Sequence, residues 1–378
     1  MNTVIAADIH LSMASTRIIG QDAAIHQIER AIRRVTSGLA RRKNKPLASF
    51  LFTGPSGVGK TETAKAIAEL VYGDIRRIVR FNANEVSGEG SQWRAFGPPP
   101  GYMGSDTGGQ ITQGVKRFGG RCVILIDEIE KGPQEIFDGL MACLDEGYLQ
   151  DASFDERIST EDCIVVMTSN ALVDDECAEL TEEELRERVV NSKATDPRTG
   201  QKISRFRREF VGRIGNVVHF RSLSRETLTQ ILADTYLRET AVQIAINLQL
   251  LAPDMTPKAL GFLVDQVGSG RFGVRGISKV LDEYILDRVL ELPEREEINS
   301  KCWVWDFDEE EGKLILVPAF TTSHGGFLAM YRQYPQYSKE VVAQKVIQKY
   351  DWLFEKTKDE IRRRLALKKA VGGLHRLY

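Results

Sequence analysis

Short apolar runs alternate with longer amphipathic stretches from residue 16 to about 221. Ser49–Thr53, Ile78–Asn82, Cys122–Ile126, Cys163–Ser169 and Val217–Phe220 read as strands. The run ending at Ile126 is apolar at successive positions, as a central parallel strand covered on both faces must be. Helical patterns fill the gaps. The alternation predicts an α/β fold: a parallel five-stranded sheet sandwiched by helices, joined by right-handed crossovers.

From residue 222 the pattern changes. Ser224-Arg225-Glu226 opens a long helical stretch, and further helices are predicted over about 256–267 and 275–291. Trp303–Phe307 and Leu314–Val317 flank an acidic turn and predict a hairpin. Residues 222–320 therefore predict a small, mostly helical domain carrying a short β-hairpin, after a large domain at 16–221 and an N-terminal segment at 1–15. Residues 321–378 form a linker and a helical extension. Ser338 is a predicted N-cap there, and Val342, Val346, Tyr350, Leu353, Ile361 and Leu365 fall close to one helical face. Lys345 to Arg376 carries ten basic and four acidic residues.

Two of the strands end in residues with chemistry. Gly54-Pro55-Ser56-Gly57-Val58-Gly59-Lys60-Thr61 completes the pattern G-x-x-x-x-G-K-[ST]. It lies between a predicted strand and a predicted helix at Thr61–Tyr72, with Glu62 in the first turn. Glycines let backbone N–H groups close around phosphate oxygens, Lys60 can reach the β- and γ-phosphates, and Thr61 can ligate Mg²⁺. The run from Cys122 ends in Asp127-Glu128. Carboxylates are costly to bury, so the strand's end places them in the crevice where α/β sheets bind ligands. Asp127 is the predicted Mg²⁺ holder and Glu128 the group that polarises an attacking water. ATP and Mg²⁺ are the cofactors these residues imply.

Composition adds boundaries. The chain has 378 residues, enough for two or three domains with a real core. Its 51 basic residues nearly balance 53 acidic ones, so no global field points to nucleic acid or a membrane. Five cysteines are scattered without metal or disulfide spacing; Cys122 and Cys163 lie in strand runs, as reduced core residues of a cytoplasmic protein would. The sequence has neither a leader pattern nor an apolar window long enough for a membrane span.

Taken in order, the motifs resemble those of the Clp family of AAA+ unfoldases, in particular the second ATPase module of ClpA- and ClpB-type chaperones. The resemblance runs from about Arg17 to Val317. Arg17-Ile18-Ile19-Gly20-Gln21-Asp22 is similar to the family's R-[VI]-I-G-Q-[DE]; the resemblance implies an adenine pocket around Ile18 and Ile19. Phe96 to Gln110 resembles its pore-loop segment, with Tyr102-Met103 between Gly101 and Gly104 as a sequence-tolerant grip on polypeptide. Ile126 to Lys131 resembles the extended Walker B motif, and Val166 to Asn170 the segment in which Asn170 would be sensor 1. Arg208 to Ile214 resembles R-P-E-F-L-N-R-I-D, which implies an arginine finger at Arg213; Gly273-Val274-Arg275 resembles the sensor 2 motif at Arg275. A finger acts from a neighbouring subunit, so the resemblance implies a ring, a homo-hexamer, with polypeptide substrates.

Departures carry expectations of their own. The stretch read here holds one module, with no amino-terminal substrate-binding or coiled-coil middle domain, so cooperation with a partner chaperone is not expected. Ala171 to Ser204 lacks the I-G-F or I-G-L tripeptide of protease-docking relatives; Leu260-Gly261-Phe262 falls in a small-domain helix and reads as core, so docking to a barrel protease is not expected. That insert is acidic and helical, with a capping box at Thr181 and Glu184. Gly212 and Gly215 stand where the family has Asn and Asp, which predicts a less constrained Arg213. Gln150 to Arg157 holds the second pore-loop position, acidic with one Phe, a poor lining for a nucleic acid strand.

The leading expectation is an ATP-dependent polypeptide unfoldase. A remodeller of nucleic-acid complexes, such as a helicase loader or transposition motor, is the alternative; the basic tail with Arg362-Arg363-Arg364 is its main support. An ATP-binding scaffold with little hydrolysis is a third reading, which the filled catalytic positions disfavour. The tail also suits an adaptor contact, or recruitment to a secretion or conjugation apparatus.

Overall fold

The computed structural model describes residues 18–38, 43–86, 90–173, 175–195, 202–248, 251–269, 274–290 and 302–318. The N-terminal segment with Arg17, Gly273, and residues 321–378 with their Ser338 cap and apolar tail positions lie outside the described residues. The chain divides into two units, Met1–Leu223 and Ser224–Tyr378.

In the first unit the chain runs through α1 (Asp22–Thr36), β1 (Ala48–Thr53), α2 (Lys60–Tyr72), β2 (Ile78–Asn82), the short α3 (Ser91–Phe96), α4 (Gln110–Arg117) and β3 (Val123–Asp127). There follow α5 (Gln134–Glu146), a hairpin of β4 (Tyr148–Asp151) and β5 (Glu156–Ser159), and β6 (Ile164–Thr168). The unit closes with α6 (Glu182–Asn191), a second hairpin of β7 (Lys193–Thr195) and β8 (Lys202–Ser204), α7 (Arg208–Arg213) and β9 (Asn216–His219). Five strands form one parallel sheet in the order β2-β3-β6-β1-β9, so the predicted doubly covered sheet is present.

Every residue of β1, β3 and β6 is buried. Their alternating side chains feed two cores, as a pleat requires. Phe50, Phe52, Leu125 and Val166 pack with Ile28 and Ile32 of α1 and Ile67 of α2. Leu51, Ile124, Ile126 and Met167 face the other way, onto Phe96, Ile111, Phe137 and Phe210 from α3, α4, α5 and α7. The register pairs Asn82 with Asp127, Ile126 with Met167, and Phe52 with Thr168. One edge of the sheet therefore gathers the ends of β1, β2, β3 and β6, the place where such sheets bind ligands.

The predicted capping box is formed: Thr181 accepts from the Glu184 N–H and the Glu184 carboxylate accepts from the Thr181 N–H. The segment predicted as a second loop, residues 150–157, is the tip of a hairpin: the ends of β4 and β5 with a turn at residues 152–155.

In the second unit Ser224 caps α8 (Arg225–Ile231), the helix predicted from Ser224-Arg225-Glu226; a π-turn at Leu232–Leu237 leads into α9 (Arg238–Leu248). Then come β10 (Leu251–Met255), α10 (Pro257–Ser269), α11 (Arg275–Leu281), a second π-turn (Asp282–Leu286), α12 (Asp287–Leu290), β11 (Cys302–Asp308) and β12 (Lys313–Pro318). The predicted hairpin is β11–β12, antiparallel; β10 joins it as a parallel edge strand. Phe262 stacks on Phe307 at 4.4 Å and meets Tyr284 edge-on at 5.2 Å, so Leu260-Gly261-Phe262 is a packing segment. Among the described residues no helix is long and apolar enough to cross a membrane.

Candidate functional site

β1 ends at Thr53 and the chain turns at once through Gly54 to Gly59 into α2. A Cβ on Gly54 would stand 2.2 Å from the Phe220 carbonyl oxygen, so no side chain fits there. Gly54, Gly57 and Gly59 have φ of 130°, 76° and 103°, in backbone conformations that favour glycine. Val58 is buried, and Pro55 and Ser56 are half-buried. Gly59 is the N-cap of α2 and supplies no side-chain acceptor to the first-turn N–H groups. Those donors, with the helix dipole, form a seat for an anion.

Lys60 is 7% exposed beside this seat. Its Nζ donates to the carbonyl oxygens of Gly54 and Pro55, the latter at 2.7 Å, and to Asn170 Oδ1 at 2.8 Å. Ile18 is buried; its Cγ2 would lie 3.7 Å from a Cβ on Gly59, which puts it against the loop, with half-buried Ile19 following. Glu62 is exposed and bonds Lys65 at 2.6 Å.

Across the crevice, Asp127 is 5% exposed and accepts three hydrogen bonds from three elements. Its Oδ1 accepts from Thr61 Oγ1 at 3.3 Å and Thr168 Oγ1 at 3.0 Å; its Oδ2 accepts from Arg80 Nε at 2.7 Å. Glu128 follows with φ 53° and ψ 47°, a left-handed conformation costing on the order of 1–2 kcal/mol for a residue with a side chain. Its N–H is secured by Thr168 Oγ1 at 3.1 Å. The strained turn brings the Glu128 carboxylate to Asn170, whose Nδ2 donates to Oε1 at 3.2 Å, while Lys131 Nζ holds Oε2 at 2.8 Å. Asn170 thus bridges Lys60 and Glu128, and its own N–H is fixed by Glu130 Oε1 at 3.0 Å.

The remaining predicted residues sit on other elements, each within its own unit. Arg213, at the end of α7, pairs with Asp145 near the end of α5 and donates to the Glu209 carbonyl at 2.9 Å. Its surroundings are tighter than the two glycines predict. Arg186 donates to the carbonyl oxygens of Val211 and Gly215, each at 2.9 Å, and the Gly215 N–H bonds Ser49 Oγ at 2.8 Å. Side chains from α6 and β1 thus hold the backbone on both sides of Arg213. Arg275 is exposed at the start of α11 in the second unit. Tyr102 is 55% exposed and Met103 101%, on a loop whose glycines Gly101 and Gly104 have φ of 92° and 86°. Tyr102 leans on Trp93, ring centroids 4.8 Å apart.

Arg80, Glu130, Asp145 and Thr168 belong to these clusters and were missed as functional candidates. Glu130 and Thr168 lie inside the motif segments at 126–131 and 166–170, and Arg80 leaves a signal as a charge inside an otherwise apolar strand run; Asp145 leaves none. Chemically, the cluster combines an anion seat, a buried ammonium, a hydroxyl and carboxylate close enough to share a hard cation, and an oriented second carboxylate. It fits a nucleoside polyphosphate with a divalent cation.

Comparison with known proteins agrees. Residues 45–217 match the model of the AAA domain (Cdc48 subfamily). The chain is 32% identical over 307 residues to the negative regulator of genetic competence ClpC/MecB of Bacillus subtilis, covering 80% of this chain and 36% of that protein. It is 34% identical over 282 residues to the chaperone protein ClpB of Clostridium perfringens, covering 72% of this chain and 31% of the relative. With the chaperone protein ClpB 2 of Thermosynechococcus vestitus it shares 36% identity over 286 residues, 73% and 30% of the two lengths. The chain spans about a third of the length of these relatives. The sequence agreement across and beyond the anion seat makes this chain a member of the Clp family of AAA+ ATPases.

Proposed function

We propose that this chain is a ring-forming, ATP-driven motor that threads polypeptide through a central pore, unfolding or remodelling it. The observation that carries the reading is the Tyr102-Met103 tip, exposed between two positive-φ glycines. Such a pair is an inefficient reader of phosphate and an effective, sequence-tolerant contact for apolar side chains. That the relatives are named chaperones supports polypeptide as the substrate.

Within this reading Lys60 and the start of α2 hold the phosphates, and Ile18 and Ile19 flank the base. Thr61 and Asp127 hold Mg²⁺, which characteristically takes one or two protein carboxylates and completes its shell with phosphate and water. Bound ATP would supply the phosphoanhydride whose hydrolysis drives the cycle. Glu128, oriented by Asn170, activates the attacking water. Arg213 serves a neighbouring subunit, consistent with its engagement by Asp145 and not by the phosphate loop of its own chain. A finger in trans contributes on the order of 10³–10⁵ in rate, so hydrolysis depends on assembly, proposed as a homo-hexamer. Arg275 is the sensor from the second unit. Among the described residues Cys122, Cys143, Cys163 and Cys177 are buried in apolar cores, which supports a reducing compartment, the cytoplasm. Residues 321–378 are proposed as an adaptor contact.

Steady-state ATPase of the protein alone, with an unfolded polypeptide, and with single-stranded DNA tests the reading. Stimulation by polypeptide that is lost in Tyr102→Ala supports it. Stimulation by DNA alone, indifferent to Tyr102, overturns it.

A further inference from the structure

The loop carrying Tyr102 and Met103 is pinched at its neck. A Cβ on Gly97 would stand 2.4 Å from Ser153 Oγ, and one on Gly109 2.4 Å from the Ala95 carbonyl oxygen. The two ends of the loop therefore lie against each other with no room for a side chain. Asp151, at the end of β4, closes this neck and has no exposed surface. Its Oδ2 accepts from the Gly109 N–H at 3.2 Å, Gln113 Nε2 at 2.8 Å and Thr112 Oγ1; its Oδ1 accepts from the Ser153 N–H at 3.0 Å. Burial pushes the Asp151 carboxyl up, but these four donors together outweigh it and hold the group below the ordinary carboxylate range.

The two residues after Asp151 grip the other end of the loop. The Ala152 N–H donates to the Phe96 carbonyl and Ser153 Oγ to the Pro98 carbonyl, both at 2.8 Å. Farther along, Lys116 of α4 pairs with Glu156 of β5 and lies 6.0 Å from the centroid of the Phe154 ring, which is 47% exposed. Between neck and tip the loop has its own turns: the Tyr102 N–H bonds the Pro99 carbonyl at 3.2 Å, and the Ser105 N–H bonds the Tyr102 carbonyl at 3.1 Å. The β4–β5 turn thus holds the loop before its start and after its end. Nothing in the sequence reveals this, because Asp151 reads as one more acid in an acidic turn.

We propose that Asp151 and Ser153 are positioning residues that clamp the Tyr102 loop to the β4–β5 turn, so that Tyr102, Met103 and Phe154 move as one gripping body. The inference rests on the threading reading. A merely structural clasp would lower thermal stability when cut; a mechanical one also wastes nucleotide, because a loop free of its partner slips on the chain it holds.

The test is the number of ATP molecules hydrolysed per molecule of a tailed, folded fluorescent protein unfolded. It is measured for the unmodified chain, Ser153→Ala, Asp151→Asn and, in parallel, Tyr102→Ala. Ser153→Ala cuts only the tie to Pro98 and leaves every donor to Asp151 in place. Asp151→Asn turns one acceptor oxygen into a donor facing donors. The ATP cost per molecule should rise roughly threefold or more in both, the scale of a lost hydrogen bond. An unchanged cost beside a defective Tyr102→Ala overturns the clamp, even if the melting temperature falls; should Asp151→Asn not fold, Ser153→Ala decides. A Tyr102→Ala variant that unfolds substrate normally instead overturns the threading reading, and the clamp with it.

Discussion

Asn170 is the residue on which the proposed hydrolytic cluster turns, and replacing it gives the most informative perturbation. Its side chain accepts from Lys60 at 2.8 Å and donates to Glu128 at 3.2 Å, while its backbone bond to Glu130 survives any substitution. Asn170→Ala therefore removes two hydrogen bonds to charged groups and little else. Each such bond contributes about 1.5–3 kcal/mol. Loss of the one that orients Glu128 alone corresponds to roughly a 10- to 150-fold fall in kcat, since about 1.4 kcal/mol is tenfold. Nucleotide affinity should change only a few-fold, because Lys60 keeps its bonds to Gly54 and Pro55. Asn170→Asp sharpens the test: it retains an acceptor for Lys60 but sets a like charge beside Glu128, so kcat should fall at least as far while nucleotide binding holds or tightens. Steady-state ATPase gives kcat and KM, and titration with a fluorescent nucleotide gives Kd. An unchanged kcat in both variants, or a rise in KM with kcat intact, would refute the argument that Asn170 positions Glu128.

Three other outcomes are expected. Gly54→Ala drives a methyl group into the Phe220 carbonyl, 2.2 Å from its ideal position, and should lower both melting temperature and nucleotide affinity; equal values in a thermal shift assay with and without nucleotide would contradict the close approach. Phe210 is 1% exposed and meets Phe137 edge-on at 4.9 Å, so Phe210→Ala should cost about 3–5 kcal/mol, or roughly 6–20 °C for a unit of this size, read by calorimetry. Asp151 is held below the ordinary carboxylate range by its donors, so its charge stabilises the fold above that range and this contribution is lost as pH falls through the folded value. The gap in melting temperature between the unmodified chain and Asp151→Asn should therefore be widest near neutrality and close below about pH 4.

Local signals made the frame legible. The strands were found to within a residue because β1, β3 and β6 are buried on both faces and show as unbroken apolar runs. The turn at residues 54–61 was legible because glycine, lysine and threonine stand at spacings that backbone geometry demands. Side chains that act across distance were not. Arg80 reaches Asp127 from 47 positions away and Arg213 reaches Asp145 from 68, and no local pattern pairs either couple. Strand β10 was missed because Leu251–Met255 contains Pro253, which is tolerated there because the strand lies at an edge, at a register shift. The β4–β5 hairpin was hidden by its acidic turn, whose one structural carboxylate, Asp151, looks like its solvated neighbours until Thr112 and Gln113 fold onto it.

Loss of native fluorescence from a folded protein bearing an unstructured tail tests the central claim most directly, measured with ATP for the unmodified chain, Glu128→Gln and Tyr102→Ala. The account predicts ATP-dependent loss with the unmodified chain and none with either variant. Brisk ATP hydrolysis with the substrate still folded, or unfolding that proceeds without Tyr102, would contradict it.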